Sequence, residues 1–349
     1  MIGVFMDKEE AFKQLKRMNA KKILLQIPDG LKPQAFDIFN YFASDFNVIV
    51  SSSSFYGACD IGNREIYEGV DCIVQLGHTE IPNINYPLPV IFIEYYYNTI
   101  EIDDSTFDVL KSDGINKIGL LSSVQYYNEM LYIKDRLERN GFSVYVGKND
   151  GRLKYPGQVL GCNFSTAHSV SLYVDAFLLI STGLFHGIGV QLSSDDRDVY
   201  ILDLNDKKIH NIRHDTDIFL KKRYARMERA LNAKRFCVVV DTKIGQYRMK
   251  IANEIYEKLK ALNKNVIMTS ADNINPADFE NFMCDAIIFT GCPRVPIDDE
   301  EKFKMPVLTP TEFDLIFGFK KSKRYVMDEI VSVDKQEENK NTETKGINA

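Results

Sequence analysis

The segment KRFCVVVD, residues 234–241, consists of a basic start followed by a short apolar strand, and the same pattern occurs twice more in the chain. Its counterparts are KKILLQIP at 21–28 and NKIGLLSS at 116–123. After each copy come an amphipathic helix, a second strand, a third strand introduced by an acidic residue, and a short closing strand. Short apolar runs that alternate with helices are typical of parallel strands buried on both faces. The sequence therefore predicts an α/β fold of three similar small parallel-sheet domains.

The positions of the three copies set the expected domain limits. We expect α/β domains at 1–103, 104–212 and 232–330, a linker helix at 213–231, and a disordered tail at 331–349. The tail is rich in charged and polar residues and poor in apolar ones, so it cannot bury enough surface to fold.

The linker helix has an apolar stripe and a strongly basic opposite face. Leu220, Tyr224, Met227 and Leu231 recur at helical spacing, and lysines and arginines fill the positions between them. Such a helix either packs on the surface of the neighbouring domains or offers a face to a partner. The sequence leaves both interpretations open.

Composition excludes several classes of protein. The 349-residue chain is 45% hydrophobic and 26% charged, with a net charge of −6, which is typical of a globular protein with two or three domains. An acidic balance argues against a nucleic-acid surface. No apolar run approaches the roughly 18 residues of a membrane span, and the acidic start is unlike a signal peptide. We expect a cytoplasmic protein whose cysteines stay reduced.

Three cysteines lie far apart, each in a glycine-flanked loop near the end of a strand. They are Cys59 in YGACD, Cys162 in LGCNF and Cys292 in TGCPR. In open α/β sheets ligands bind where loops leave the carboxyl ends of the strands, so three domains can bring these thiols to one site. Three thiolates on a soft metal centre leave one position open, as in a catalytic iron–sulfur cluster. Cys292 follows the third strand of its copy, whereas the other two follow the second.

Two alternatives to this metal site stay open. The three residues could be unrelated loop thiols, and zinc is a competing metal, although three sulfurs without a matched histidine suit zinc less well. Cys72, Cys237 and Cys284 serve as an internal comparison, because they lie in or beside apolar strands where cysteine behaves as a small buried hydrophobe.

Glycine-rich turns at strand ends are candidates for holding a ligand. The turn residues and their polar neighbours are Asp29, Gly30, Gly183, Gly187, Gly189, Thr242, Lys243, Gly245 and Gln246. Backbone amides at such turns can approach a carboxylate or phosphate closely. Each is equally explained as a tight turn with a helix cap.

Two histidines and an ion pair complete the candidate residues. His78 and His186 are expected in strand-end loops, where they could act in proton transfer or ligand binding, or simply make one hydrogen bond. Arg294 and Asp298 lie just past Cys292. The arginine could pair with an anionic substrate group or form a surface salt bridge.

Together these strings resemble a known family. IPDGL at 27–31, YGACD, LGH at 76–78, GLFHGIG at 183–189, TKIGQ at 242–246 and GCPRVPID at 291–298 are similar, in order and spacing, to the archaeal diphthamide biosynthesis protein, a 3-amino-3-carboxypropyl transferase. The resemblance covers nearly the whole chain except the tail.

The resemblance implies a specific chemistry. In the family a [4Fe-4S] cluster is held by one cysteine from each of three domains, which map onto Cys59, Cys162 and Cys292. It implies a homodimeric radical enzyme that lacks the usual CxxxCxxC string and cleaves S-adenosylmethionine into a 3-amino-3-carboxypropyl radical and methylthioadenosine. The fragment is attached to a histidine of translation elongation factor 2. An electron donor is required as a further partner.

For the co-substrate pocket the candidates are Asp29, Gly30, His78, Gly183, His186, Gly187, Gly189, Lys243, Gly245 and Gln246. The rival functions are a quinolinate-synthase-like condensing enzyme, an iron–sulfur subunit that only relays electrons, and a plain nucleotide-binding α/β protein. Measuring methylthioadenosine formation and bound iron distinguishes the transferase from these rival functions.

Overall fold

The computed structural model describes residues 4–97, 101–194, 197–320 and 324–331, and the expected tail lies outside these ranges except for its first residue. The first third of the chain contains β1 (Val4–Phe5), α1 (Lys8–Arg17), β2 (Lys22–Gln26), α2 (Ala35–Ala43), β3 (Asn47–Ser51), α3 (Arg64–Tyr67), β4 (Cys72–Leu76), β5 (Val90–Ile93) and β6 (Tyr96–Tyr97). Its main sheet has the strand order β3-β2-β4-β5, all parallel.

The second third repeats this arrangement with one addition. It contains α4 (Asp108–Ser112), β7 (Lys117–Ser122), α5 (Tyr127–Arg139), β8 (Ser143–Tyr145), α6 (Ser165–His168), β9 (Ala176–Ile180), α7 (Phe185–Ser193), β10 (Asp198–Asp203) and β11 (Lys208–Asn211). The parallel order is β8-β7-β9-β10, and β11 adds an antiparallel edge strand. The sequence pattern did not predict this edge strand or the small antiparallel pair of β1 and β6.

The last third follows a long helix, α8 (Arg213–Leu231). It contains β12 (Arg235–Asp241), α9 (Met249–Ala261), β13 (Asn265–Ala271), α10 (Pro276–Asn281), β14 (Ala286–Phe289), α11 (Arg294–Asp298), β15 (Val307–Leu308) and α12 (Pro310–Ile316). Its sheet order, β13-β12-β14-β15, equals that of the first sheet. Three parallel-stranded α/β units of one topology confirm the predicted fold class. We retain 1–103, 104–212, 213–231 and 232–330 as proposed limits.

An aspartate before the third strand of each unit explains part of the repeat. The carboxylate of Asp285 accepts hydrogen bonds from the backbone amides of Lys234 and Arg235, at 3.1 and 2.9 Å. Asp71 and Asp175 do the same at the first strands of their units. These bonds lower the pKa of Asp71 and Asp175 below the usual range, and at Asp285 the side chain of Arg235 lowers it most, with the backbone amides adding to the effect. The acidic residue therefore ties together the starts of two neighbouring strands.

The linker helix α8 buries only part of the expected stripe, because Met227 is in the core and Leu220 packs against it, whereas the other two stripe residues are open to solvent. Tyr224 and Leu231 are each 43% exposed, whereas Arg223 is 1% exposed. Arg223 donates to both carboxylate oxygens of Glu312 at 2.7 Å and pairs with Glu300. Because distant acidic residues neutralise this arginine, the helix turns a cation inward, which the apolar stripe alone could not indicate. The helix joins the second and third units into one hydrophobic core.

The comparison cysteines differ among themselves. Cys72 is a buried free thiol in β4, as expected. Cys237 and Cys284 are buried, but they form a disulfide, with their Cα atoms 6.0 Å apart. The expectation of two separate packed thiols was therefore wrong. Cys284 lies two residues before β14, which pairs with β12, so two cysteines 47 positions apart in sequence come together.

Among the described residues, no helix combines the length and apolar character needed to cross a membrane.

Candidate metal centre

Cys59, Cys162 and Cys292 lie in loops at the carboxyl ends of three sheets and are partly buried. Burial and the nearby Cys162 raise the pKa of the Cys59 thiol to about 11. Burial raises the pKa of Cys292 as well, and both other cysteines add to that shift. Because Cys162 acts electrostatically on both Cys59 and Cys292, the three thiols lie in the same region of the structure. Within the described ranges, no three His, Cys, Asp or Glu side chains are close enough to bind a single metal ion together.

Two buried glutamines fix the loop that carries Cys59. Gln26 donates to the carbonyl of Ile61 and Gln75 donates to that of Asp60, both at 2.8 Å. The glutamines also bond to each other at 2.8 Å. Both are fully buried in central strands, and a buried amide needs such partners. Our sequence reasoning missed them, although a glutamine inside an apolar strand was the available signal.

The third unit contacts Cys59 directly through the segment between β12 and α9. The amide of Gly245 donates to the carbonyl of Cys59 at 2.9 Å, and Gln246 Nε2 donates to its sulfur at 3.2 Å. Because Gly245 and Gln246 make these contacts, the chain enters α9 only at Met249. An amide hydrogen bond to a ligand sulfur orients the ligand, as the outer partners of metal sites do.

Gly245→Ala is expected to lower iron binding. A Cβ at this position would lie 2.5 Å from Cys59 Cβ and 2.6 Å from its Cα, so the backbone of the cysteine loop must move. Overpacking of this kind costs about 1–3 kcal/mol. Iron per chain after anaerobic reconstitution, together with the melting temperature, measures both effects. Gly30→Ala is the matched control for iron content, because no atom lies within 4 Å of its added Cβ. Equal iron content in both variants would contradict the packing argument.

A lysine surrounded by carboxylates lies beside the cysteine loops. Lys243 Nζ is 3.9 Å from Asp241 and 3.6 Å from Asp272. Burial raises the pKa of Asp241 to about 6 and also raises that of Asp60, the neighbour of Cys59 in sequence. Asp241 packs so closely on Gly291 that a side chain there would collide with it. The cluster can therefore bind a zwitterionic group through one cation and several carboxylates.

The C-terminal segment closes the side of the site near Cys162. The amide of Ile330 donates to the carbonyl of Cys162 at 2.7 Å, and Asn163 Nδ2 donates to the carbonyl of Ile330 at 3.1 Å. Two residues earlier, Asp328 pairs with the buried Arg248, which also donates to the carbonyls of residues 290 and 291 beside Cys292. A short terminal segment thus connects two of the cysteine loops, which no local sequence pattern indicated.

Phe185 and Arg294 pack against Gly161, the residue before Cys162, and Phe185 also lines a surface groove. The guanidinium carbon of Arg294 lies 4.6 Å from the ring centroid of Phe185, and both side chains contact Gly161. Arg294 is also paired with Asp298 at 2.6 Å. Phe185 and Asp298 line a groove of about 270 Å³, which the apolar side chains of Leu184, Ile188, Phe219 and Ile297 complete together with charged residues of α8 and of 300–301.

Both candidate histidines are neutral at pH 7. Burial lowers the pKa of His78 to about 4, and burial together with the nearby Arg294 lowers that of His186 to about 4. His78 Nδ1 is 3.2 Å from Gln75 Oε1, which links it to the Cys59 loop. His186 lies in the first turn of α7 and not in a loop, so the expectation was wrong for its secondary structure. A neutral imidazole near the carboxyl ends of the strands can accept a proton or a hydrogen bond.

The remaining pocket candidates have other partners. Asp29 is exposed, pairs with Lys32 and accepts from Ser54. Gly183 adopts a φ of 80° in the turn before α7, which suits glycine. Gly187 and Gly189 are buried inside that helix, where a Cβ would collide with Ile201 and Phe164. Their small size is thus needed for helix packing.

The comparisons with known proteins agree with this arrangement. Residues 27–326 match the family model described as putative diphthamide synthesis protein. The chain belongs to the diphthamide synthesis family. It is 32% identical to the 2-(3-amino-3-carboxypropyl)histidine synthase of Pyrococcus horikoshii, with 93% of each chain covered, and 26% identical to the enzyme of that name from Methanocaldococcus jannaschii, again with 93% of each covered.

A solved structure of this diphthamide synthesis family has the same fold. The crystal structure of Dph2 from Pyrococcus horikoshii with a 4Fe-4S cluster is 30% identical to this chain, with 95% of each chain covered and a TM-score of 0.85. The named relatives are transferases, and so is this member of the diphthamide synthesis family.

Proposed function

We propose that this chain catalyses the first step of diphthamide formation, the transfer of a 3-amino-3-carboxypropyl group from S-adenosylmethionine to a histidine of translation elongation factor 2. The observation that carries the proposal is the shared, partly buried site of Cys59, Cys162 and Cys292, one from each α/β unit. It occurs in a chain that aligns over 93% of its length with a 2-(3-amino-3-carboxypropyl)histidine synthase.

The three cysteines are the proposed ligands of a [4Fe-4S] cluster. Three thiols and no histidine form a soft donor set, and the close approach of Gly245 to Cys59 leaves no room for a further side chain there. When bound, such a cluster supplies one electron for reductive cleavage of a sulfonium. Burial raises the pKa of the free Cys59 and Cys292 thiols, so ligation must release their protons.

The co-substrate pocket is proposed at the carboxyl edge shared by the three sheets. Lys243 with its neighbouring carboxylates suits the zwitterionic amino acid end of S-adenosylmethionine, and the neutral His78 and His186 suit hydrogen bonding at low charge. The orientation of the bound sulfonium decides which carbon–sulfur bond breaks, so fixed side chains select the product. The full proposed set is Asp29, Gly30, His78, Gly183, His186, Gly187, Gly189, Lys243, Gly245 and Gln246.

The protein substrate is proposed to approach from the groove beside Phe185 and Arg294. Phe185 lines this groove and also packs against Gly161, the residue before Cys162. An apolar floor with a charged rim suits a polypeptide segment that presents a histidine. A homodimer, an external electron donor and a cytoplasmic location complete the proposal, and the net charge of −6 argues against a nucleic-acid partner.

Anaerobic reconstitution with iron and sulfide, followed by product analysis, tests this function. The reduced protein should release methylthioadenosine from S-adenosylmethionine and label elongation factor 2 on one histidine. Labelling by the isolated chain with a chemical reductant excludes a subunit that only relays electrons. A reconstituted, reduced protein that leaves S-adenosylmethionine intact but condenses quinolinate precursors would assign it to the rival enzyme class. Absence of bound iron would instead favour a nucleotide-binding protein.

A further inference from the structure

Arg152 is a buried cation without a carboxylate partner. Its side chain lies in the loop between β8 and Cys162, and the residue is 3% exposed. One terminal nitrogen donates to the carbonyl of Gly245 at 2.8 Å, and Nε has no hydrogen-bond partner. Across residues 4–97, 101–194, 197–320 and 324–331, no aspartate or glutamate forms an ion pair with it.

The other deeply buried arginines of the chain behave differently. Arg223 is neutralised by Glu312 and Glu300, and Arg248 is neutralised by Asp328. Burying an ion costs several kcal/mol unless an opposite charge offsets the loss of water. Within the described residues, two of the buried arginines form ion pairs with carboxylates and Arg152 does not. A bound anionic group would supply the opposite charge that no side-chain ion pair gives to Arg152.

The position of Arg152 indicates what that group is. Gly245, which accepts its hydrogen bond, donates in turn to the carbonyl of Cys59 and packs against the Cα and Cβ of that cysteine. The guanidinium thus lies behind one of three neighbouring thiols, all of which become anionic when they bind metal.

We propose that Arg152 is the counter-ion of the iron–sulfur cluster and raises its reduction potential. The inference rests on the proposed metal centre and adds a residue that neither the sequence pattern nor the comparisons point to. Three thiolates and the sulfides of a cluster form an anionic group, and reduction adds one more negative charge. A fixed cation in a poorly solvated site favours the more negative state, and the free Nε–H is available as a donor to sulfur. Arg152 is a positioning residue in this proposal and does not react itself.

The test uses the full chain, reconstituted anaerobically, in the absence of S-adenosylmethionine and elongation factor 2. Arg152→Gln removes the charge, and Arg152→Lys keeps it on a shorter donor. We would measure the iron and sulfide content per chain. A redox titration monitored by electron paramagnetic resonance would give the midpoint potential of the cluster. We expect the glutamine variant to have a lower potential than wild type and the lysine variant to lie between them.

Arg136→Gln is the matched control, since it also removes one positive charge from the second unit. Arg136 lies in the last turn of α5, at the opposite end of the sheet from the cysteine loops, and pairs there with Asp104. Its variant should keep the wild-type potential. A shift of the same size in this control would assign the effect to net charge and overturn the proposal.

Each of the remaining outcomes either supports or overturns the proposed role of Arg152. Loss of the cluster in Arg152→Gln with retention in Arg152→Lys supports the counter-ion. Loss in both variants, with an unchanged melting temperature, would make Arg152 a structural support of the Cys59 loop and overturn the proposal. An unchanged potential combined with weaker S-adenosylmethionine binding would assign the cation to the co-substrate carboxylate and overturn it too. If wild type itself holds no cluster, the proposed function fails, whereas an unchanged potential in a loaded variant contradicts only the role of Arg152.

Discussion

Replacing Cys59, Cys162 or Cys292 by alanine is expected to abolish stable cluster binding and the transferase activity. Each cysteine comes from a different α/β unit, so no neighbouring thiol in the same loop can substitute for it. Loss of an outer partner of a metal site already costs about 10–100-fold in affinity or activity, and loss of a ligand should cost more. Iron and sulfide analysis, the visible absorption of the reconstituted protein, and methylthioadenosine release measure the effect.

Cys72→Ala is the control for this series. Cys72 is a free thiol that is fully buried in the central strand β4, away from the three loops. Its replacement removes one sulfur atom from the core and should cost about 1 kcal/mol of unfolding free energy while iron content stays at the wild-type value. A Cys292→Ala variant that is fully loaded and active would remove this residue from the ligand set. The same outcome at Cys59 or Cys162 would do so for those positions.

Glu312→Ala is expected to destabilise the protein by about 3–5 kcal/mol, because it leaves the buried Arg223 without its main counter-charge. Glu312 is 1% exposed and accepts from Arg223 at two oxygens and from Tyr325. It also caps α12 together with Thr309. Chemical denaturation with two spectroscopic probes measures the loss of unfolding free energy.

The double variant Arg223→Met with Glu312→Leu separates charge from packing. Replacing a whole buried ion pair by apolar side chains of similar volume is often neutral or stabilising, so this variant should recover much of the lost free energy. The control Lys134→Ala breaks an exposed pair with Glu138 and should change stability by less than about 1 kcal/mol. If the single Glu312→Ala variant were as stable as wild type, water would be solvating the charge of Arg223, which would contradict the observed burial of that side chain.

Local patterns were sufficient for the repeated units. The apolar runs at 21–28, 116–123 and 234–241 became the first strands of three sheets with one topology, because buried parallel strands need apolar residues on both faces. The acidic residue before each third strand was visible in the sequence, and its function in bonding two strand starts follows from its position. In α5 the buried residues Met130, Ile133 and Leu137 recur at helical spacing, so the local pattern is sufficient to indicate the buried face.

Contacts between distant segments decided the details of the site. The position of Cys292 after the third strand of its unit, unlike the other two cysteines, is accommodated because all parallel strands of a sheet end at one edge. Arg152 and Ile330 carry no local signal of their function, and the only signal at Gln75 is a polar residue inside an apolar strand. Each acquires it from a partner more than ten positions away in sequence.

The amino-acid sequence by itself determined three α/β units, the helix that joins them and the three loop cysteines, since strand burial and helix amphipathicity are short-range periodic properties. Only the tertiary structure decided which charges are neutralised inside the protein and which are not. Burial depends on what the rest of the chain places around a side chain, so the same residue type is a paired core cation at Arg223 and an unpaired one beside the cysteines at Arg152.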